Sequence, residues 1–195
     1  MMEKSQTFTS TFERELIIAA QQGDIGAFKR LYETYKEAVY SLIFYLLGNA
    51  TLAEDVLQIV FVKAHRSLRT FRFEARFLSW LYRIAVNECH TQQRRQSSYV
   101  PLENVLGTGE ELDPQPTPDQ LHVQGQRQEI IQAAMLQLSE NLREVVVLKY
   151  LEDLSYQEIA TILQCSPGTV ASRLNRALTQ LEKNLQPLKK FLLEN

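Results

Sequence analysis

The sequence predicts an all-α protein of two small helical domains joined by a flexible acidic linker, the second containing a helix-turn-helix. Three observations predict this. Apolar residues recur at three- and four-residue intervals through most of the chain, and no segment alternates as a strand does. Gly107, Gly109, Pro114, Pro116 and Pro118 gather among acids and scattered apolar residues over 97–118, which reads as a linker. Residues 155–181 hold two capped helix starts with a short break between them.

The elements follow in order. Residues 12–22 read as a short helix ended by Gly23. Residues 26–47 read as a long one, with Phe28, Leu31, Tyr32, Tyr35, Val39, Leu42, Ile43 and Leu46 inward and Gly48 as the stop. Thr51 and Glu54 form a capping-box pattern that opens a helix through about Ser67. Residues 68–73 are a break, and a helix over 74–95 follows. Helices resume at about Asp119 and run to Gln137, and Ser139 caps another through Leu151. The domain bounds are therefore 1–97 and 119–195, with 98–118 between them.

The 155–181 stretch is the most informative. Ser155 and Glu158 are spaced to satisfy each other's orphan amides. Ile159, Ala160, Ile162 and Leu163 make one apolar face, and Gln164-Cys165 breaks it without the glycine often found in such a turn. Ser166 restarts the helix as N-cap with Pro167 at the first position, where its missing N–H costs nothing. Gly168 leaves room for something to approach closely. Val170, Leu174, Ala177, Leu178 and Leu181 face inward by spacing. Thr169, Ser172, Arg173, Asn175 and Arg176 face the other way, and their hydroxyl, amide and guanidinium groups suit base edges and phosphates.

Composition bounds the alternatives. The 195 residues are 45% apolar, enough for real cores. No apolar run reaches the roughly 18 residues of a membrane helix, and the first ten residues are too polar for a secretory signal. Cys89 and Cys165 lie far apart, as structural thiols of a cytosolic protein do. The net charge of −2 hides a pattern. Between Lys63 and Arg95 eight basic residues face only Glu74 and Glu88, whereas residues 101–126 carry five acids and no base. Screening confines each charge to about 10 Å, so phosphate binding depends on the local excess.

The basic stretch also interleaves rings and guanidinium groups: Phe71, Arg72, Phe73, Arg76, Phe77, Trp80, Tyr82 and Arg83. Aromatics stack on unpaired bases at about 1–3 kcal/mol each while arginines hold phosphates. Phe77, Leu81 and Ile84 sit at helical spacing and read as core, whereas Phe71 and Phe73 lie in the break. A melted-strand surface and a duplex reader in one chain suggest a protein that touches DNA twice.

The chain resembles an extracytoplasmic-function (group IV) sigma factor of bacterial RNA polymerase, nearest in pattern to the sigma-E type. The residues that carry the likeness include Ala53-Glu54-Asp55-Val56, Gln58, Phe61, Phe71-Arg72, Trp80-Leu81-Tyr82-Arg83-Ile84-Ala85 with Asn87, Leu154 to Ala160, Gly168-Thr169-Val170, Ser172-Arg173 and Arg176-Ala177. The resemblance implies that the helix from Thr51 docks on the clamp helices of the polymerase's largest subunit through Asp55, Gln58 and Phe61. It implies that the loop starting at Phe71, with Arg72, Phe73 and Arg76, captures a flipped base of the minus-ten element, and that Trp80, Arg83 and Asn87 hold the melted strand. It further implies that Thr169, Ser172, Arg173, Asn175 and Arg176 read the minus-thirty-five element, beside the flap of the second-largest subunit. Promoter DNA, core RNA polymerase and an anti-sigma factor are the implied partners, with no cofactor and no membrane insertion. The implied setting is the bacterial cytoplasm, at the inner membrane while an anti-sigma factor holds it, in a stress or envelope response. Ala171 and Ile59 depart from the family's usual basic and acidic residues at their positions.

Other chemistry finds little support. Cys89, His90, His122 and Cys165 lack metal-ligand spacing, and Glu54-Asp55 suit the first turn of a helix. No phosphate loop or nucleophile constellation is present in the sequence, so no enzyme activity is read. The rival reading is a one-component helix-turn-helix regulator, which would not need the segment between Phe71 and Arg83.

Overall fold

The computed structural model describes residues 11–98 and 122–188, and every regular element among them is helical. The chain is all-α with two small helical domains. Nearly all of the expected linker lies outside the described residues.

The first domain contains α1 (Thr11–Gln21), α2 (Ile25–Leu47), α3 (Ala50–Ser67), a 3₁₀ turn (Leu68–Thr70) and α4 (Phe77–Ser98). Gly23, at φ 100°, turns the chain after α1. Asp24 then caps α2 by accepting from the Ala27 amide at 3.0 Å. Gly48 ends α2 in the left-handed region at φ 72° and donates to the Phe44 carbonyl.

Two expected boundaries move. Asn49, not Thr51, caps α3 by accepting from the Leu52 amide at 2.8 Å, so Thr51 and Glu54 already lie inside the first turns. A capping residue directly after Gly48 lets α3 start without a spacer. α4 starts at Phe77 instead of residue 74, after a loop in which Phe73 takes φ 60°.

The second domain contains α5 (His122–Leu136), α6 (Glu140–Val146), a π-helical turn (Val147–Leu151), α7 (Tyr156–Ile162) and α8 (Pro167–Leu185), followed by a 3₁₀ turn (Gln186–Leu188). The expected helix to Leu151 thus changes character at Val147, where the wider turn inserts one residue. α6 and the π-helical turn place Val145, Val146, Val147 and Leu148 in the core with Ile159, Val170, Leu174 and Ala177. Fully burying one such aliphatic side chain contributes about 1.5–3 kcal/mol. Leu178 is an exception to the inward reading of α8, since it is 39% exposed.

The two domains pack directly on each other. Buried Arg143 donates to the carbonyls of Met135 (2.9 Å), Leu136 (2.8 Å) and Leu138 (2.9 Å), then crosses to the carbonyl of Leu46 at the end of α2. One guanidinium so satisfies helix-end acceptors from both domains, and its burial pulls its pKa down. Gln132 donates to the Phe44 carbonyl at 3.2 Å. Buried Tyr82 donates its hydroxyl proton to Glu152, whose carboxyl burial pushes up. His90 pairs with buried Glu144, and that hydrogen bond raises the imidazole's pKa.

Candidate nucleic-acid interface

The helix-turn-helix is built by local signals. The Ser155 hydroxyl accepts from the Glu158 amide at 3.3 Å, while the Glu158 carboxylate accepts from the Ser155 amide at 2.9 Å. Both halves of the capping box are therefore present at the start of α7. The turn closes with the Cys165 amide donating to Ala160, and Gln164 takes φ 51° where a glycine was missing from the sequence. Ser166 caps α8 by accepting from the Thr169 amide at 3.0 Å, and Pro167 takes the first position.

α8 divides cleanly. Val170, Leu174 and Ala177 are buried, while Ser172, Asn175 and Arg176 are exposed and Thr169 and Arg173 are half-buried. Thr169, Ser172, Arg173 and Arg176 fall at intervals of three, four and seven, so they share one face. Several of these groups are pre-oriented along the helix: Ser172 donates to the Thr169 carbonyl at 3.0 Å, and the Arg176 Nε donates to the Ser172 carbonyl at 3.3 Å. The latter bond uses only Nε and leaves the other guanidinium donors of exposed Arg176 outside it. A Cβ at Gly168 would meet only the Ser166 hydroxyl, at 3.7 Å. The protein's own packing does not require glycine there.

The second surface surrounds the 71–76 loop. Phe71, Phe77 and Trp80 pack with ring centroids 5.4 Å apart, and Phe73 lies 5.0 Å from Phe71. Phe71 and Trp80 are only 6% and 8% exposed, so these rings are committed mainly to one another. Phe73 is half-buried beneath the Arg14 guanidinium, 4.4 Å from its centroid. What remains open is a cleft of 310 Å³ whose rim carries Arg72, Glu74, Ser79 and Arg83 around the edges of Phe71 and Trp80. Thr161 and Ile162 of α7 form its far wall. Arg76 is exposed at the end of the loop, and Asn87 is exposed further along α4.

The third surface is on α3. Asp55 and Gln58 are exposed, but Phe61 is 5% exposed and packs edge-on against Tyr32 at 4.8 Å. Its inward position corrects the reading of Phe61 as a surface contact, and the spacing of Ala53, Val56, Val60, Phe61 and Ala64 carried that signal. Val62, 49% exposed and one turn beyond Gln58, stands in its place on the outer face. Two further residues escaped the sequence reading because only long-range contacts reveal them: Arg14 over Phe73, and Gln21, which donates to the carbonyls of Leu68 and Phe71. Among the described residues no group of three or more His, Cys, Asp or Glu is placed to hold a metal ion, and Cys89 is packed at 1% exposure.

Residues 31–99 match the family described as Sigma-70 region 2, and residues 128–181 match Sigma-70, region 4. The chain is 34% identical over 187 residues to the RNA polymerase sigma-H factor of Pseudomonas aeruginosa, covering 92% of this chain and 97% of that protein. It is 35% identical over 183 residues to the ECF RNA polymerase sigma-E factor of Haemophilus influenzae, covering 90% and 96%. Among solved structures, the sigma factor RpoE in complex with the anti-sigma factor NepR from Bartonella quintana is similar at a TM-score of 0.68 and 25% identity, over 83% of this chain and 98% of that one. CnrH in complex with the cytosolic domain of CnrY has the same fold at a TM-score of 0.68 and 23% identity, over 90% and 97%.

Proposed function

The chain belongs to the sigma-70 family, as an extracytoplasmic-function sigma factor that directs transcription initiation, and on that premise we propose which of its surfaces performs each step. The observation that carries the assignment is that one chain holds both a helix-turn-helix with a polar outer face and a cation-rimmed aromatic cleft. Residues 1–97 act as the module that binds core RNA polymerase and opens the minus-ten element, residues 98–118 as the tether, and residues 119–195 as the reader of the minus-thirty-five element. Thr169, Ser172, Arg173, Asn175 and Arg176 meet the duplex, where phosphate contacts set register and side chains on base edges select sequence. Arg72, Arg76, Arg83 and Asn87 hold the melted strand around the cleft, with Phe71 and Trp80 lining it and Phe73 packed behind Phe71. Asp55 and Gln58, joined by Val62, face the polymerase.

Family members are non-catalytic initiation factors, and the chemistry of these surfaces is binding. The complex of RpoE with NepR supports an anti-sigma partner for this chain as well. Such a partner holds the chain inactive in the bacterial cytoplasm, at the inner membrane where the partner is anchored there. No helix among the described residues is long and apolar enough to cross a membrane itself. The one-component regulator reading is not favoured, because residues 31–99 match Sigma-70 region 2 across the segment that such a regulator would not need.

Run-off transcription with bacterial core polymerase tests the proposal, on a promoter mapped by start-site sequencing after overexpression. Product above core alone is expected, with loss on replacing Arg173 and Arg176 by Ala. Absence of product with the unaltered chain overturns it.

A further inference from the structure

Residues 71–76 lie between a 3₁₀ turn and the start of α4, so they lack the hydrogen-bond ladder that stiffens a helix. Phe73 within them holds φ 60°, a conformation that costs a residue with a Cβ about 1–2 kcal/mol and persists only where its surroundings impose it. The surroundings are one face of α1. The Gln21 Nε2 carries two protons and uses both, donating to the Leu68 carbonyl at 3.0 Å and the Phe71 carbonyl at 2.9 Å. It thereby ties the start of the 3₁₀ turn to the first residue of the loop. Two helical turns earlier, Arg14 lies 4.4 Å over the Phe73 ring. Buried Ile17 and Ala20, between them, hold that face of α1 against the domain.

The exposed Arg72 is thus flanked on both sides by residues that α1 grips, and it stands on the rim of the cleft. We propose that Gln21 is a positioning residue for melted-strand recognition: it fixes the Phe71 carbonyl, and through it the direction of Arg72 and the shape of the cleft. The chemistry of the site restricts the residue type. Both acceptors are carbonyls, so an ionised Glu of equal length repels them, and Leu of similar bulk leaves them without their donor.

This inference rests on the proposed reading of the loop as the melted-strand surface, and the experiment separates the two. The full chain, bound to core polymerase, is placed on fork-junction DNA built from its mapped promoter. The lifetime of the complex after competitor challenge is measured with the matched unpaired base and with an abasic site. The readout is the ratio of the two lifetimes, which a general loss of fold would not selectively reduce. R72A tests the loop reading, and Q21L and Q21E test the brace. Q21L and Q21E are each expected to lower the ratio about tenfold, the scale of two lost hydrogen bonds, with polymerase affinity unchanged. Q21L combined with R72A is expected to add little to R72A alone, because both act through one contact. A ratio lowered by R72A but untouched by Q21L and Q21E overturns the brace and spares the loop reading. A ratio untouched by R72A overturns the loop reading and the brace with it.

Discussion

Replacing Gly48 by Ala probes the contact between the domains. Gly48 sits at φ 72°, so a Cβ there carries the left-handed penalty of about 1–2 kcal/mol, offset by about 0.4–1 kcal/mol from the stiffer unfolded chain. The same Cβ would lie 2.5 and 2.7 Å from the two methyls of Leu136 in the other domain, and 3.1 Å from its Cγ. Turning the methyls aside leaves the Cγ too close, so α5 must shift as well. Overpacking of this kind costs about 1–3 kcal/mol, and a flexible Leu places it near the lower end, at about 1. Gly23→Ala is the control: its φ of 100° imposes a comparable backbone penalty, but its Cβ would have nothing within 4 Å. Denaturant unfolding, followed by the fluorescence of the chain's one tryptophan, should therefore place Gly48→Ala about 1 kcal/mol below Gly23→Ala. Adding Leu136→Ala should recover most of that excess in a double-mutant cycle. Equal losses at the two glycines, or no coupling to Leu136, would refute the reasoning and show that Leu136 does not cover Gly48 in solution.

Three further outcomes are expected. Gly168→Ala should stabilise α8 by about 0.5 kcal/mol, since its Cβ meets only a hydroxyl at 3.7 Å, yet weaken promoter binding by crowding the approach to the helix start; unchanged binding in a gel shift with holoenzyme counts against close approach. Ser155→Ala removes the cap of α7 and should cost about 1 kcal/mol, read as a fall of roughly 2–4 °C in Tm; an unshifted Tm contradicts the capping box. His90 is raised above its usual 6.5 by Glu144, so the protonated imidazole's contribution is complete below about pH 6.5 and is lost as pH climbs through the raised value. Glu140 supports the charge, Arg94 opposes it, and partial exposure screens the pair. Hydrogen exchange of α4 and α6 should therefore quicken as pH rises above 6.5, beyond the intrinsic rise, and His90→Gln should flatten that excess; a parent without the excess sinks the idea.

Much of the helix-turn-helix was legible because its signals are local. Ser155 and Glu158 satisfy each other's amides, and Ser166 satisfies that of Thr169 with Pro167 at the first position, all within three residues, so spacing alone reveals them. Asn49 was passed over for Thr51 because both fit a cap by type, and only the position of Gly48 in space selects between them. The start of α4 was misplaced because nothing in Phe73's immediate neighbours demands φ 60°; Arg14 and Phe71 hold its ring there. The inward position of Phe61 is legible in its spacing with Val56, Val60 and Ala64.

The sequence by itself determined the all-α class, the two domains, the caps of the reading helix and the family, because periodicity, capping and motif order are properties of neighbours along the chain. Only the tertiary structure decided that the loop aromatics face one another, that Gln21 and Arg14 grip the loop from α1, and that Arg143, Tyr82 and His90 join the domains. Each of those depends on groups brought together from distant positions, and burial and hydrogen-bond geometry there are set by packing that no local pattern encodes.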